Sequence, residues 1–288
     1  MNNRARQFQL PMDRAQEIAE LAEAIAEEYF PAKRIDPLLI IRKKGMTSSF
    51  GYYGDTFDGL LEHQQGRFHV YANLDRIEEA DSTRARFTLG HELGHYFIDE
   101  HRNALAKGLA PSHPSVCEYE SDIPVEREAD HFASNLLMPS TRFRKLAERT
   151  PRGLEGILAI ANEFGTSVTS TAIQYAKFDI VPCIVIKWNS NGFGWKWLST
   201  ETFRARYRKT IESLDKLLLD SPTAKAIAGD KSPPSGFFSA GTTASAWFPF
   251  VKSQGDRNAI FIEQAMSLGR FGVLTFLYPE SGSYCLRL

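Results

Sequence analysis

The sequence is poor in cysteine, nearly free of net charge and without a long apolar run, and each shortage excludes something. Its three cysteines, Cys117, Cys183 and Cys285, are odd in number and widely spaced, which fits reduced thiols and not a disulfide framework. Its 34 Lys and Arg stand against 35 Asp and Glu, leaving a formal net charge of −1. That balance argues against wholesale electrostatic binding to nucleic acid, although local basic patches stay open. No stretch is long enough to span a bilayer, so no membrane association is expected. The opening residues, MNNRARQFQLPMDRAQEIAELAEA, lack the apolar core of a secretory signal, and the expected location is cytoplasmic. What remains is a composition of 43% hydrophobic and 24% charged residues, that of a globular chain, and a length of 288 residues that suits two or three modest domains.

The spacing of Ile18, Leu21, Ile25 and Tyr29 predicts an amphipathic helix over residues 13–29, stopped near Pro31. Strand-like pieces follow at Leu38 to Arg42, Gly59 to His63 and Arg67 to Asn73, the last two joined as a hairpin through Gln64, Gln65 and Gly66. Arg84 to Ile98 and Val125 to Leu137 read as helices, the second opened by Pro124 and closed by Pro139. Between them, Gly108, Pro111 and Pro114 make residues 99–122 a loop or a broken helix. Two short helices joined at residues 164–167 resemble a helix-turn-helix. Beyond Asp179 the texture changes: strands at Ile180 to Lys187 and Phe193 to Leu198 around a turn, a charged helix at Phe203 to Leu219, a Pro/Gly/Ser-rich loop at Asp230 to Ser239, and strands at Ala259 to Ile262 and Gly272 to Leu277. The expected fold class is therefore α+β, in three regions: 1–150, a helical segment 151–178, and an α+β domain 179–288.

The chemistry sits in HELGH, residues 91–95. With about 3.6 residues per helical turn, His91 and His95 lie on one face and both imidazoles can reach a single divalent ion. Glu92 falls about 100° round from His91, where it flanks the ion without binding it and can act as a general base on water. Ala85, Leu89, Leu93 and Tyr96 gather on the opposite face as a packing stripe. The reaction class this implies is amide hydrolysis.

A catalytic zinc keeps three protein ligands and one open position. His101 follows His95 by six residues, but Ile98 stands where a turning Gly would be needed to bring it back to the ion. The better candidate is Glu126, because Glu126, Ala129, Asp130, Ala133 and Leu137 share one face of the second helix while Glu128 and Phe132 point away. Asp130, one turn on, can take the other ring N–H of a ligand histidine, and Glu128 is the fallback ligand. Tyr119, His131 and Tyr96 are the polar side chains available as oxyanion donors. A His₂Glu set suits zinc best, with manganese as the alternative. The strand Arg67 to Asn73 is a candidate edge on which a substrate peptide could add as a further strand.

The stretches FDGLLEHQQGRFHVYANLDR, RARFTLGHELGHYFIDEHR and EREADHFASNLLMP, in that order over residues 57–140, resemble the ImmA/IrrE zinc peptidases. The resemblance implies a minimal gluzincin-like zincin domain with His91, His95 and Glu126 as ligands and Glu92 as the catalytic acid/base. It implies a helix-turn-helix transcriptional repressor as the partner that is cut, with induction of a stress-response, DNA-damage or mobile-element regulon. The layout after LLMP is similar to the IrrE-type members, with a helix-turn-helix-like segment and then a GAF-like, sensor-like domain.

Two rival readings come from other classes. A DNA-binding factor would need Arg, Lys, Asn or Gln on the exposed face of its reading helix, and residues 166–175 offer only Gln174 and hydroxyl side chains, so direct DNA binding is left open. A regulator that binds a repressor without cutting it would have no use for Glu92.

Overall fold

Pro11 precedes helix α1, Met12–Tyr29, which turns Ile18, Ala22, Ile25 and Ala26 inward, the face its periodicity predicts. The computed structural model describes residues 10–109, 115, 123–207, 209–251 and 253–280. It divides into two compact units, one formed by residues 1–143 with 162–167 and the other by 144–161 with 168–288.

In the first unit, α1 is followed by α2, Pro37–Lys43, where the sequence reading expects a strand. The run Leu38 to Arg42 is apolar enough for either state. Local chemistry decides: Asp36 accepts hydrogen bonds from the Leu38 and Leu39 amides (3.0 and 3.3 Å), and Pro37 occupies the first turn. Strands β1 (Thr47–Gly51), β2 (Gly59–Gln64) and β3 (Arg67–Asn73) form a three-stranded sheet in the order β1-β3-β2. The β2–β3 hairpin turns on Gln65 and Gly66, both at positive φ. β1 pairs parallel to β3. It escapes the sequence reading because TSSFG carries no apolar alternation. β3 is therefore the interior strand, which corrects its assignment as an edge; the edges are β1 and β2.

Helix α3, Thr83–Phe97, follows, capped by the Ser82 hydroxyl on the Ala85 amide (3.0 Å). The chain then breaks at Ile98, whose backbone is extended (φ −74°, ψ 112°), and resumes as α4, Asp99–Ala106. Helix α5, Pro124–Leu137, packs between α3 and α1. One core joins these parts, with Ile18, Ile25, Ile40, Leu61, Val70, Leu89, Leu93 and Phe132 among its buried members. α6 (Ser140–Ala147) spans the boundary at residue 143, α7 (Leu154–Phe164) lies mostly in the second unit, and α8 (Val168–Lys177) lies wholly in it.

The second unit is built on a five-stranded antiparallel sheet, β4 (Ile184–Asn189), β5 (Gly192–Leu198), β6 (Phe238–Thr243), β7 (Ile260–Ser267) and β8 (Val273–Pro279), in the order β5-β4-β8-β7-β6. The fold is α+β, with the β-rich region following the helical one. One sheet face packs Ile184, Ile186, Trp188, Phe261 and Leu277 against Phe203, Tyr207 and Trp247. Burial raises the pKa of the Cys183 thiol well above its ordinary range, as befits an inert packed cysteine; Cys117 and Cys285 lie outside the described residues. The charged helix expected over Phe203 to Leu219 stops at Tyr207, since the backbone N–H of Ile211 donates to the Trp247 carbonyl (3.0 Å) and Leu219 is exposed. Among the described residues no helix is long and apolar enough to cross a membrane.

If the Asp36 side chain selects helix over strand for α2, Asp36→Ala should lower the unfolding free energy by about 1 kcal/mol in urea titration; an unchanged midpoint would contradict that account.

Candidate metal centre

α3 and α5 cross where neither carries a side chain larger than a methyl. Gly90 and Gly94 face Ala133 and Ala129: a Cβ added at Gly94 would lie 3.0 Å from the Ala129 Cα and 3.1 Å from its carbonyl oxygen. The close crossing brings the first turn of α5 over the middle of α3. Glu126 sits in that first turn, where the helix dipole favours a carboxylate.

Three ligand-capable atoms converge there. His91 Nε2 lies 3.1 Å from Glu126 Oε2, His95 Nε2 lies 3.3 Å from Glu126 Oε1, and the two Nε2 atoms are 3.1 Å apart. Around an ion held tetrahedrally by bonds of roughly 2.0–2.1 Å, neighbouring ligand atoms sit about 3.3 Å apart, so the spacing fits a zinc-sized ion. His91, His95 and Glu126 form the potential metal-binding group found among the described residues, all three buried. The donor chemistry also fits. Glu92 and Glu126 are buried carboxylates beside two imidazoles, and a buried anionic cluster calls for a cation among its donors.

The imidazoles are electrostatically unequal. Burial disfavours charge on His91, yet its hydrogen bonds to Asp130 and Glu126 outweigh that and hold its pKa well above the ordinary imidazole range. Burial pushes His95 down to about 4, against the opposing hydrogen bond from Glu126. His91 Nδ1 lies 2.8 Å from Asp130 Oδ1, the arrangement that orients a ligand histidine from behind.

Glu92, fully buried, abuts the start of β2. A Cβ on Gly59 would come within 2.6 Å of Glu92 Oε1 and 2.5 Å of the Thr88 Cγ2, so only glycine lets the strand pass this close. Nothing in the sequence alone marks Gly59, because the contact joins a strand to a helix whose pairing is not legible in the spacing.

The remaining sequence-derived residues fall elsewhere. His101 does return toward the centre without a turning Gly, because the extended backbone at Ile98 redirects the chain; its Nδ1 reaches the Nδ1 of His95 (3.2 Å), on the side of that ring away from Glu126. Glu128, the fallback ligand, instead holds His101 Nε2 (3.0 Å) and Arg14. Of the three oxyanion candidates, His131 directs Nε2 to the Ala15 carbonyl (2.8 Å), and Tyr96 packs edge-on to Phe68 beneath the Arg102 guanidinium. Tyr119 lies outside the described residues.

The site thus has the donor set of an HExxH-plus-Glu metallohydrolase. Residues 77–174 match the M78 peptidase family model of the IrrE N-terminal-like domain. That stretch, about a third of the chain, runs from just before α3 to the last turns of α8, and over it the chain is similar to the IrrE N-terminal-like domain. A transcriptional regulator from Mycobacterium tuberculosis is similar in structure, with a TM-score of 0.56 and 13% identity over 93% of this chain and 78% of that one. Identity that low speaks for the fold alone. No curated protein matches the chain.

Because the helix crossing holds Glu126 over the histidines, Gly94→Val should cost about 1–3 kcal/mol in denaturant unfolding and weaken zinc binding by at least about tenfold. Unchanged zinc affinity in a chelator competition would separate the crossing from the site.

Proposed function

We propose that the chain is a zinc-dependent endopeptidase that hydrolyses a peptide bond in a helix-turn-helix transcriptional repressor and so induces the genes it silences. The observation that supports this reading is the convergence of His91 Nε2 and His95 Nε2, from the helix that carries Glu92, with a Glu126 carboxylate oxygen from α5, all within 4.8 Å of one another.

His91, His95 and Glu126 would hold the ion, and zinc is preferred over manganese because two imidazoles and one carboxylate suit it. When bound, such an ion supplies Lewis-acid polarisation of the scissile carbonyl and acidifies a water molecule. The chain's own residues do the rest. Glu92 takes a proton from the attacking water and delivers it to the leaving amine. Asp130 keeps the His91 ring turned so that Nε2 faces inward. Gly59 lets the start of β2 approach the Glu92 carboxylate.

A repressor as substrate follows from the family resemblance, and so does the regulatory consequence. Proteolysis is favoured over direct DNA reading by the helix pair α7 and α8. Ser170 to Ala176, the stretch a reading helix would present to a groove, is buried in α8, and Tyr175 packs edge-on to Phe276 of β8. A metal-stabilised regulator that only binds a repressor would leave the buried carboxylate of Glu92 without a task.

The test is to incubate the purified protein and its Glu92→Gln variant with the helix-turn-helix regulator encoded nearest to it, with and without Zn²⁺ or Mn²⁺. The expected result is metal-dependent cleavage at a defined bond, reduced about 10²- to 10⁴-fold in the variant while the metal stays bound. Equal cleavage by both proteins would end the assignment.

A further inference from the structure

Behind the ligand set, a line of polar side chains leads from His95 to the surface of α1. His95 Nδ1 lies 3.2 Å from His101 Nδ1, and His101 Nε2 lies 3.0 Å from Glu128 Oε2. Arg14 grips the same carboxylate with two bonds, Nε to Oε1 at 3.1 Å and Nη2 to Oε2 at 2.8 Å. His101 is buried, at 8% exposure. The line draws on four elements, α1, α3, α4 and α5, and depends on the extended residue Ile98 that swings α4 back beneath α3.

Counting protons gives the line a direction. A guanidinium only donates and a carboxylate only accepts, so Arg14 donates to Glu128 and His101 donates from Nε2 to the same group. A neutral His101 then has its lone pair at Nδ1, facing His95. With His95 Nε2 as the ligand atom, the His95 proton sits on Nδ1 and is donated to that lone pair. Reversing the bond would place a proton on Nε2, where the ion must bind.

We propose that His101, backed by Glu128 and Arg14, is a positioning residue for the metal: it fixes the tautomer and ring orientation of His95 so that Nε2 presents its lone pair to the ion. This rests on the metal-site reading above. It is the counterpart for His95 of what Asp130 does for His91, with a difference of chemistry. His91 is backed directly by a carboxylate, whereas His95 is backed by an imidazole, with the carboxylate one ring further out. The arrangement gives His101, in the DEHR that follows the HELGH helix, a role beside the ligands, and it gives Glu128 a purpose that places it off the ligand face.

The test measures zinc affinity of the full chain by competition with a chromophoric chelator, together with the visible absorption of the Co²⁺-loaded protein. His101→Phe keeps the bulk and removes the acceptor; it should weaken zinc binding about 10- to 100-fold and change the Co²⁺ bands. His101→Gln can accept from His95 Nδ1 through its side-chain carbonyl and should recover most of the loss. Glu100→Gln, which touches Arg14 outside the line, should leave affinity unchanged. Should His101→Phe fail to fold by circular dichroism, Glu128→Leu carries the test, with an expected loss of about tenfold. Wild-type affinity in His101→Phe or, where that variant does not fold, in Glu128→Leu overturns the proposal, as does a His101→Gln variant as weak as His101→Phe. A wild-type protein that binds no stoichiometric zinc, or binds it equally well after His91→Ala, would instead sink the metal-site reading itself.

Discussion

At Gly90, Gly94, Ala129 and Ala133, helices α3 and α5 touch nearly backbone to backbone, and the distance set there decides whether three side chains can meet. A helix–helix spacing wider by one side chain would carry Glu126 away from the imidazoles, since its carboxylate oxygens stand only 3.1 and 3.3 Å from the two Nε2 atoms. The apolar side of the same crossing is shared with the core: Leu89 and Leu93 on one helix and Phe132 and Leu136 on the other bury completely or nearly so. Hydrophobic packing thus supplies the force that holds polar groups in an arrangement they would not adopt in water.

Burial of so many ionisable groups has a cost, and the centre meets it by pairing. Asp130 backs His91, the His101–Glu128–Arg14 line backs His95, and Glu126 faces both rings. The contacts around His91, His95 and Glu126 are shielded from solvent, so removal of one partner there leaves the other in an unfavourable environment, whereas Arg14 closes its line at the surface. The orientation of both rings is in this way fixed by hydrogen bonds at their Nδ1 atoms.

Much of the centre was legible in the sequence because helical periodicity is a local property. The four-residue spacing of His91 and His95, and the shared face of Glu126, Ala129, Asp130 and Ala133, follow from 3.6 residues per turn and reappear as direct contacts. What escaped were the contacts to elements whose placement no local pattern announces. Arg14, His101 and Glu128 are joined only by tertiary packing, and the bend at Ile98 occurs without the glycine that sequence reasoning looks for. The same limit explains α2, where an apolar run read as a strand is overruled by the Asp36 cap, and the helix after Phe203, which ends early because a backbone bond to the Trp247 segment competes with it. In the second unit the strand pattern was readable, but β6 was not read as a strand: its first two residues fell at the end of the stretch read as loop, and only its partner β7 makes it a strand.

The central claim, that two imidazoles from one helix and a carboxylate from another bind a single zinc ion, is tested most directly by X-ray absorption at the zinc edge of the purified, zinc-loaded protein. The account predicts a first shell of nitrogen and oxygen at roughly 2.0–2.1 Å with the outer-shell scattering of two imidazole rings. A sulfur shell near 2.3 Å, or scattering from fewer than two imidazoles, would contradict it.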